Sequence, residues 1–581
     1  IQFGSRSSFV LVMHFVKKQP TTEEQRATTE RHKAVKLKIY CDARDIIFAK
    51  RSKGELDDEM LGLTAKILSK NPDINTFWNI RREVLDSLKD NERIEIYYHN
   101  ELLLTEECIK ENPKSYSAWF QRGWILRRQR KPNLELELKM CEEALKMDCR
   151  NFHCWDHWRV VASMAKVSEE EKLKFSNKLI KENFSNYSAW HMRIGLLERV
   201  VDAEKGTISL SSETQENEIK KMASAVFVDP HDQAAWMYAR WLISLHSTHT
   251  SMAEEWSSSL QTQALSISRH GKRITLVLNR PLTLQQSQLF LRGSEITLIP
   301  SAQDTKATMS RVWVGEVSDS ESTVEGSLDG ADFTAVAEGQ PVINKEALLN
   351  IWRPRPCDFI DRIKKICDDI REEDAESALS VLTETLCLRA TSPIEEHSRI
   401  ETQLRRLGSE LDSLRVNMYN CILSRERLRY ALMSPEKEKE GKSRLESLLD
   451  GETTSLSLCY LQLTEVEDLF PLAGLLTDLD LRGNQIGCLE HLPPLPNLVR
   501  LGLDENPLKK LTPLLGERVP NLEFLSVGGC RELSTVSLSP ALHSLPSISK
   551  FLFCETPLVN ETESIRDALQ ERDIRLIPYY I

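Results

Sequence analysis

The best cluster of metal-ligating residue types in this sequence is Cys149, His153, Cys154 and His157. Thiolate and imidazole are the ligands zinc takes in tetrahedral sites, so thiol activation by a metal is the chemistry such a cluster would offer. The spacing argues against it. On one helix Cys-x3-His-Cys-x2-His sends its side chains to diverging faces, although His153 and His157 fall one turn apart. Satisfied interior or interface side chains are the expected reading. No H-E-x-x-H pair, P-loop glycine pattern or G-x-S-x-G elbow occurs. Lys114, in the segment NPKSY with Tyr116 two residues on, taken alone reads as a solvated turn lysine. The chain shows no complete catalytic centre, so its contribution depends on the elements that place these residues.

Those elements begin with a repeat. Five copies of one segment fill the first 245 residues: KILSKNPDINTFWNIRREVL, ECIKENPKSYSAWFQRGWIL, EALKMDCRNFHCWDHWRVVA, KLIKENFSNYSAWHMRIGLL and SAVFVDPHDQAAWMYARWLI. Trp78, Trp119, Trp155, Trp190 and Trp236 stand in register, at spacings of 41, 36, 35 and 46 residues. Each copy predicts a helix, a stop, and a second helix starting a few residues before the tryptophan. Asn tolerates the left-handed conformation that ends a helix and Pro cannot continue one, so Asn71-Pro72, Asn112-Pro113 and Asp229-Pro230 are the stops. Arginine follows the tryptophan by three or four residues, as Arg81, Arg82, Arg122, Arg159, Arg193 and Arg240. One hairpin cannot bury its own apolar face. Five in a row are expected to stack into a curved, right-handed solenoid whose concave side can wrap a partner. A large aromatic at one repeat position then fills the core between helices.

From about Arg273 the pattern changes to the short alternating runs ITLVLNRPL, LFLRGSEITLI, SRVWVGEV and DFTAVAEG, which predict a small antiparallel, Ig-like sandwich. Helical periodicity returns over Asp358 to Met433, and a charged linker follows at Ser434 to Arg444. A second repeat starts near Glu452, with LTDLDLRGNQIGCL, LVRLGLDENPLKKL, LEFLSVGGCRELSTV and ISKFLFCETPLVNE, which is the leucine-rich repeat pattern. Leu479/Leu481, Leu501/Leu503, Leu525/Val527 and Phe551/Phe553 are the inward pairs. Asn484, Asn506, Cys530 and Thr556 fall where a side chain can satisfy backbone between coils, and about five coils are expected. The domains expected are 1–245 (helical repeats), 246–350 (inserted sandwich), 351–445 (helical segment continuing the solenoid, with linker) and 446–581 (leucine-rich repeats).

Bulk properties narrow the class. At roughly 150 residues per domain, 581 residues predict three or four domains. A hydrophobic content of 41%, a charged content of 28% and a mean hydropathy of −0.36 suit a soluble globular protein, and no apolar run is long enough for a transmembrane span. The net charge of −11 argues against nucleic acid as the main partner. Thirteen cysteines without a C-x-x-C pair point to a reducing compartment, and a cytoplasmic location is expected. Met13 is the expected true start, and the sequons at Asn183, Asn186 and Asn560 are read as chance matches.

The N-P-x-x-Y-x-x-W-x-x-R pattern, repeated five times, resembles the repeat of protein prenyltransferase α subunits over roughly residues 55 to 245, most specifically in NPKSYSAWFQR. Departures are Trp158 at the first basic position of the third copy, Asp148-Cys149 for Asn-Pro, and Phe184 for Pro. With the inserted sandwich and the leucine-rich module, the chain resembles the Rab geranylgeranyltransferase (type II) branch of that family. The shared farnesyltransferase and type I α subunit resembles the helical part alone. Outside the family, the reading is a non-enzymatic scaffold of helical and leucine-rich repeats.

The resemblance implies a multidomain, mainly α chain that is inactive alone and works as an obligate heterodimer with a β subunit. That subunit would hold the zinc and the isoprenoid pocket. The reaction implied is transfer of geranylgeranyl from geranylgeranyl diphosphate to C-terminal cysteines of Rab GTPases presented by Rab escort protein. By matching motif positions, Lys114 would meet the leaving diphosphate and neutralise charge on the bridging oxygen, with Tyr116 beside it. Asn151, His153, Asn186, Tyr187 and His191 occupy equivalent turns of copies three and four, at the subunit interface or the rim of the active site.

Overall fold

The structure, a computed structural model, describes residues 23–578 apart from 91, 198–200, 203–206, 209, 247–263, 271–272, 284–298, 301–308, 317–322, 329–330, 338–340, 355, 436–440, 535–537 and 569–573. The expected start at Met13 lies outside the described residues. The chain divides into two compact units between Lys174 and Phe175.

The first unit is helical: α1 (Glu23–Lys53), α2 (Asp58–Leu68), α3 (Asn75–Ser87), α4 (Ile94–Glu111), α5 (Tyr116–Leu126), α6 (Leu134–Met147) and α7 (Phe152–Met164). The pairs α2/α3, α4/α5 and α6/α7 are the first three copies. Their starts are set by side-chain caps, with Asp57, Ser115, Asn133 and Asn151 accepting otherwise unpaired first-turn N–H groups.

The tryptophan is at most 5% exposed in all five copies. Its indole N–H donates to the carbonyl six residues earlier: Trp78 to Pro72, Trp119 to Pro113, Trp155 to Cys149, Trp190 to Phe184 and Trp236 to Pro230, at 2.8 to 2.9 Å. Because the acceptor is main chain, Cys149 and Phe184 serve as well as proline, which accounts for two of the departures. The same carbonyl also receives the next copy. Ser115 Oγ donates to Pro72 at 3.2 Å and Asn151 Nδ2 to Pro113 at 2.9 Å.

The arginine three residues after the tryptophan clamps two copies together. Arg81 pairs with buried Glu101 of the next copy (Nε to Oε1, 2.8 Å) and donates back to the Thr64 hydroxyl of its own first helix (2.7 Å). Arg122 repeats this with Glu137 (2.8 Å) and Thr105 (3.1 Å). Each glutamate also takes a bond from its own copy, Glu101 from Gln121 (2.9 Å) and Glu137 from His157 (2.6 Å).

In the second unit, α8 (Glu169–Glu182) leads in from the first, and α9 (Tyr187–Leu197), α10 (Ser212–Val228) and α11 (Gln233–His246) complete copies four and five. The clamp recurs as Arg193 on Glu218 (2.6 Å) and Ser176 (3.1 Å), with Tyr238 donating to Glu218 (2.7 Å). After α12 (Lys345–Trp352), a sixth hairpin follows as α13 (Asp358–Glu373) and α14 (Ala378–Thr391). Val381 takes the tryptophan's place there, and Ser377 donates to Pro230 (3.1 Å). Its clamp has reversed polarity, with buried Glu384 held by Arg371 (2.8 Å), Gln403 (2.7 Å) and Arg399.

The periodic stretch ETQLRRLGSELDSLRVNMYNCILSRERLRYAL is two helices, α15 (His397–Arg406) and α16 (Val416–Met433), joined by a π turn at Leu407–Leu411 and a short 3-10 turn. Gly408 marks the joint. A Cβ there would lie 3.2 Å from Val416 Cγ2, so the chain turns where its smallest residue meets the next helix.

Between α11 and α12 the described strands form a five-stranded antiparallel sheet, in the order Ile299–Pro300, Met309–Glu316, Arg273–Thr283, Ala264–His270 and Val342–Ile343, and a hairpin of Thr323–Leu328 with Ala331–Ala337. Of the expected strand LFLRGSEITLI only Ile299 is described. Following α17 (Arg444–Leu449) come six three-residue strands, Ser455–Ser457, Asp478–Asp480, Arg500–Gly502, Phe524–Ser526, Lys550–Leu552 and Arg575–Ile577, all parallel and in sequence order. Leu456, Leu479, Leu501, Leu525, Phe551 and Leu576 stand level across them. Asn484 accepts from the Leu461 and Leu463 N–H groups and donates to the Leu458 and Leu481 carbonyls. Asn506, Cys530 and Thr556 donate to carbonyls of these coils in the same manner.

One hydrophobic core joins these parts of the second unit. Leu265, Val277 and Val312 of the sheet, Trp352, Leu428, and Leu445 of α17 pack with the coil leucines. Asn497 ties the two sheets, donating to Ser268 Oγ (2.8 Å) and accepting from Thr275 Oγ1 (3.0 Å). Gly474 allows the approach, since a Cβ there would sit 2.7 Å from Ser266 Oγ.

Candidate functional site

The turn between α4 and α5 is built by Asn112. Its main-chain N–H closes α4 on the Cys108 carbonyl, its Oδ1 accepts the Lys114 N–H (3.1 Å), and its Nδ2 donates to Asp73 (2.9 Å). Proline at 113 stops the helix, and Ser115 caps the next one. Lys114 therefore leaves a tied turn with its side chain exposed. The described residues offer its ammonium no carboxylate. Tyr116, first residue of α5, is 70% exposed, and Phe152 beside it 50%.

The third copy brings Asn151 and His153 to this turn. Asn151 is fully engaged, its Oδ1 accepting from the His153 and Cys154 N–H groups and its Nδ2 holding the Pro113 carbonyl. The His153 ring is buried against Phe152 (centroids 3.9 Å apart) and packs edge-to-face with Tyr116 (4.2 Å). Burial pushes this imidazole below its usual pKa, opposed by the Asp156 charge. Lys114, Tyr116, Asn151 and His153 thus form one cluster, with Phe152 as a member the motif did not name.

Asn186, Tyr187 and His191 form a separate group in the second unit. Asn186 is buried and accepts from the Ala189 N–H at 3.2 Å, while Tyr187 and His191 are open to solvent with rings stacked at 6.0 Å. Cys149, His153, Cys154 and His157 do not converge. Cys154 donates to the Cys141 carbonyl and His157 bonds Glu137. Among the described residues no three His, Cys, Asp or Glu side chains gather as a metal site.

Sequence reasoning missed the clamp glutamates Glu101, Glu137 and Glu218. The signal was present: each stands eighteen residues before its copy's tryptophan. As a chemical device, the Lys114 cluster offers an exposed cation on a hydrogen-bonded turn beside an open aromatic surface. That suits an anionic group presented against an apolar neighbour. No helix of the described residues is long and apolar enough to cross a membrane.

Comparison with known proteins bears on the same residues. The model of the protein prenyltransferase alpha subunit repeat matches residues 98–129, 134–165, 170–200 and 216–246. Geranylgeranyl transferase type-2 subunit alpha of Sus scrofa is 31% identical over 93% of this chain and 100% of its own length, and that of Homo sapiens 30% over the same shares. The Saccharomyces cerevisiae protein of that name is 30% identical over 40% of this chain and 72% of its own length. Among solved structures, Candida albicans protein geranylgeranyltransferase-I complexed with GGPP aligns with 71% of this chain and 95% of its own at 13% identity and a TM-score of 0.39, too distant to argue from. With a near-full-length match at this identity and four repeat matches that span the Lys114 and His153 turns, the chain belongs to the geranylgeranyl transferase type-2 subunit alpha family.

Proposed function

We propose that this chain is the α subunit of a cytoplasmic heterodimer that moves geranylgeranyl from geranylgeranyl diphosphate to C-terminal cysteines of Rab GTPases presented by Rab escort protein. The near-full-length relationship to type-2 α subunits carries this reading. The β subunit binds the isoprenoid and would hold a zinc ion, which would lower the pKa of the Rab cysteine thiol so that its sulfur forms the new bond to the allylic carbon. This chain's part is electrostatic. As the carbon–oxygen bond of the allylic diphosphate lengthens, its electron pair goes to the diphosphate oxygen, and the Lys114 ammonium meets that growing charge. Tyr116 and Phe152 border the position, while Asn151, Asn186, Tyr187 and His191 line the rim or the β interface. The antiparallel sheets are read as a sandwich-type insert and the parallel coils as leucine-rich repeats, both appended to the helical repeats.

The test is transfer from labelled geranylgeranyl diphosphate to a Rab protein by this chain co-expressed with its β subunit, with and without escort protein. Activity that needs both, and that falls about 10²-fold in Lys114→Ala, is the expected result. Transfer to a CaaX peptide without escort protein would reassign the chain to the farnesyl/type I kind. Failure of any β subunit to co-purify, with no transfer, would leave a scaffold.

A further inference from the structure

Only half of α1 is seated. From Tyr40 onward it belongs to the first hairpin, α2/α3: the Tyr40 ring meets Phe77 edge-on (6.2 Å), Ile47 is fully buried, Lys50 pairs with Asp57 and Glu59 (2.7 Å each) and Arg51 with Glu83 (2.6 Å). Before Tyr40 the helix is an arm. Every residue of 33–39 is exposed, and the one ion pair among the arm's described residues, Lys33 with Glu30 (2.8 Å), stays within it. At 1.5 Å per residue the arm from Glu23 to Ile39 reaches about 25 Å. A helical segment of that size is marginal in water unless something packs against it.

The arm does not carry the side chains of a solvated surface. Val35, Leu37 and Ile39 are 61, 61 and 64% exposed, and Ile46 and Phe48 continue the apolar positions onto the seated half at 45 and 40%. At about 100° per residue, Val35, Ile39 and Ile46 form one stripe and Leu37 and Phe48 a second, nearly opposite. The gaps between the stripes are cationic, with Lys33 and Lys36 in one and Arg31 and Lys38 in the other. No aspartate or glutamate occurs between Glu30 and Asp42, in a chain whose net charge is −11. Apolar and basic sides thus alternate around the helix. A lipid surface takes up a helix by one apolar face, and a nucleic-acid backbone leaves apolar side chains uncovered. Two apolar stripes separated by cations fit a protein groove that encloses the helix, with apolar walls and carboxylates between them.

We propose that the α1 arm docks in an acidic, apolar-walled groove of the catalytic β subunit. The inference rests on the heterodimer reading given above. Escort-bound Rab has to leave after each transfer, so lasting cover for Val35, Leu37 and Ile39 falls to the subunit that stays. The seated half sets the direction of the arm, and the first hairpin carries it to the partner.

The experiment is amide hydrogen exchange on the αβ complex, comparing wild type with Val35→Glu/Ile39→Glu and with Lys33→Glu/Lys36→Glu/Lys38→Glu. Glutamate is as good a helix former as lysine and a better one than valine or isoleucine, and all five positions are exposed, so these variants leave the chain's own fold in place. Residues 40–53, the seated half, are the internal reference. In the wild-type complex the amides of residues 31–39 are expected to exchange about 100-fold more slowly than in an uncovered helix. Each variant should return them to within about threefold of the uncovered rate and raise the αβ dissociation constant about tenfold. Added salt should weaken the wild-type complex more than the lysine variant. Fast exchange across 31–39 in the wild-type complex, protection that appears only when escort-bound Rab or phosphatidylserine vesicles are added, or protection that survives either variant would each overturn the proposal, while β still co-purifies and the heterodimer stands. If no β subunit co-purifies with the wild-type chain, the heterodimer reading fails and this inference with it.

Discussion

The helical hairpins and the C-terminal coils are both repeats, yet neighbouring units are stitched in opposite ways. Between coils the joint is main chain: six short strands hydrogen-bond in parallel, and Asn484 and Asn506 complete what the backbone leaves open. Between hairpins the named joints are side chains, an arginine on a buried glutamate and a cap residue on a carbonyl. The coil array spreads its cohesion over many interchangeable contacts. The helical array concentrates it in a few buried charges, and a buried charge that loses its partner costs far more than a missing methylene.

The sharpest attempt to break this contrast is Arg122→Met. It leaves buried Glu137 with His157 as its one remaining named partner and should cost about 3 kcal/mol, seen as lost amide protection across α4 to α7 in hydrogen exchange. Acid should do the same without mutation. Burial alone would raise the Glu137 carboxyl, but hydrogen bonds from His157 and Arg122 outweigh it and hold it at about 2 against an ordinary 4.5. A depressed carboxyl contributes its stability above the unfolded value and loses it as pH falls through the folded one, so protection of α6 and α7 should fade between those two values.

Asn484→Ala is the matching cut in the coils. Four main-chain groups lose a partner there, and about 2–3 kcal/mol of local stability around residues 458–486 is the expected loss. A cost exceeding that of Arg122→Met would reverse the comparison. The mildest test is Trp119→Phe, which keeps an aromatic ring and removes one indole bond from a carbonyl that Asn151 still holds. About 1 kcal/mol is expected, read as a small drop in thermal midpoint.

How much of this could be read in advance followed from what each residue must announce locally. The tryptophans, the Asn-Pro stops and the coil leucines carry their own periodicity and stood out. Glu101, Glu137 and Glu218 did not, because a glutamate on an amphipathic helix looks like a solvated face until the copies are aligned. The break at Gly408 was hidden because the apolar period runs on through it. The sixth strand, Arg575–Ile577, adds one to the five coils expected, its leucine flanked by residues that carry no repeat signal. In the candidate site, the motif marked Lys114 and Tyr116. The contact of the His153 ring with Tyr116 spans 37 positions in sequence and joins two copies, so no single copy could disclose it.

The clamp also bears on how such an array can change its length. At the joint where copy three carries Trp158 in place of arginine, copy four carries Lys172 and Met192 in place of the glutamate and its companion donor. Hairpins here are therefore not interchangeable beads. Excising the third would set Arg122 against Lys172, and excising the fourth would set Trp158 against Glu218. Only loss of the second would meet a compatible neighbour, with Arg81 falling on Glu137. Recombination that drops a copy thus meets a matching rule written in the buried charges, which loss of the third or the fourth copy would break and loss of the second would satisfy.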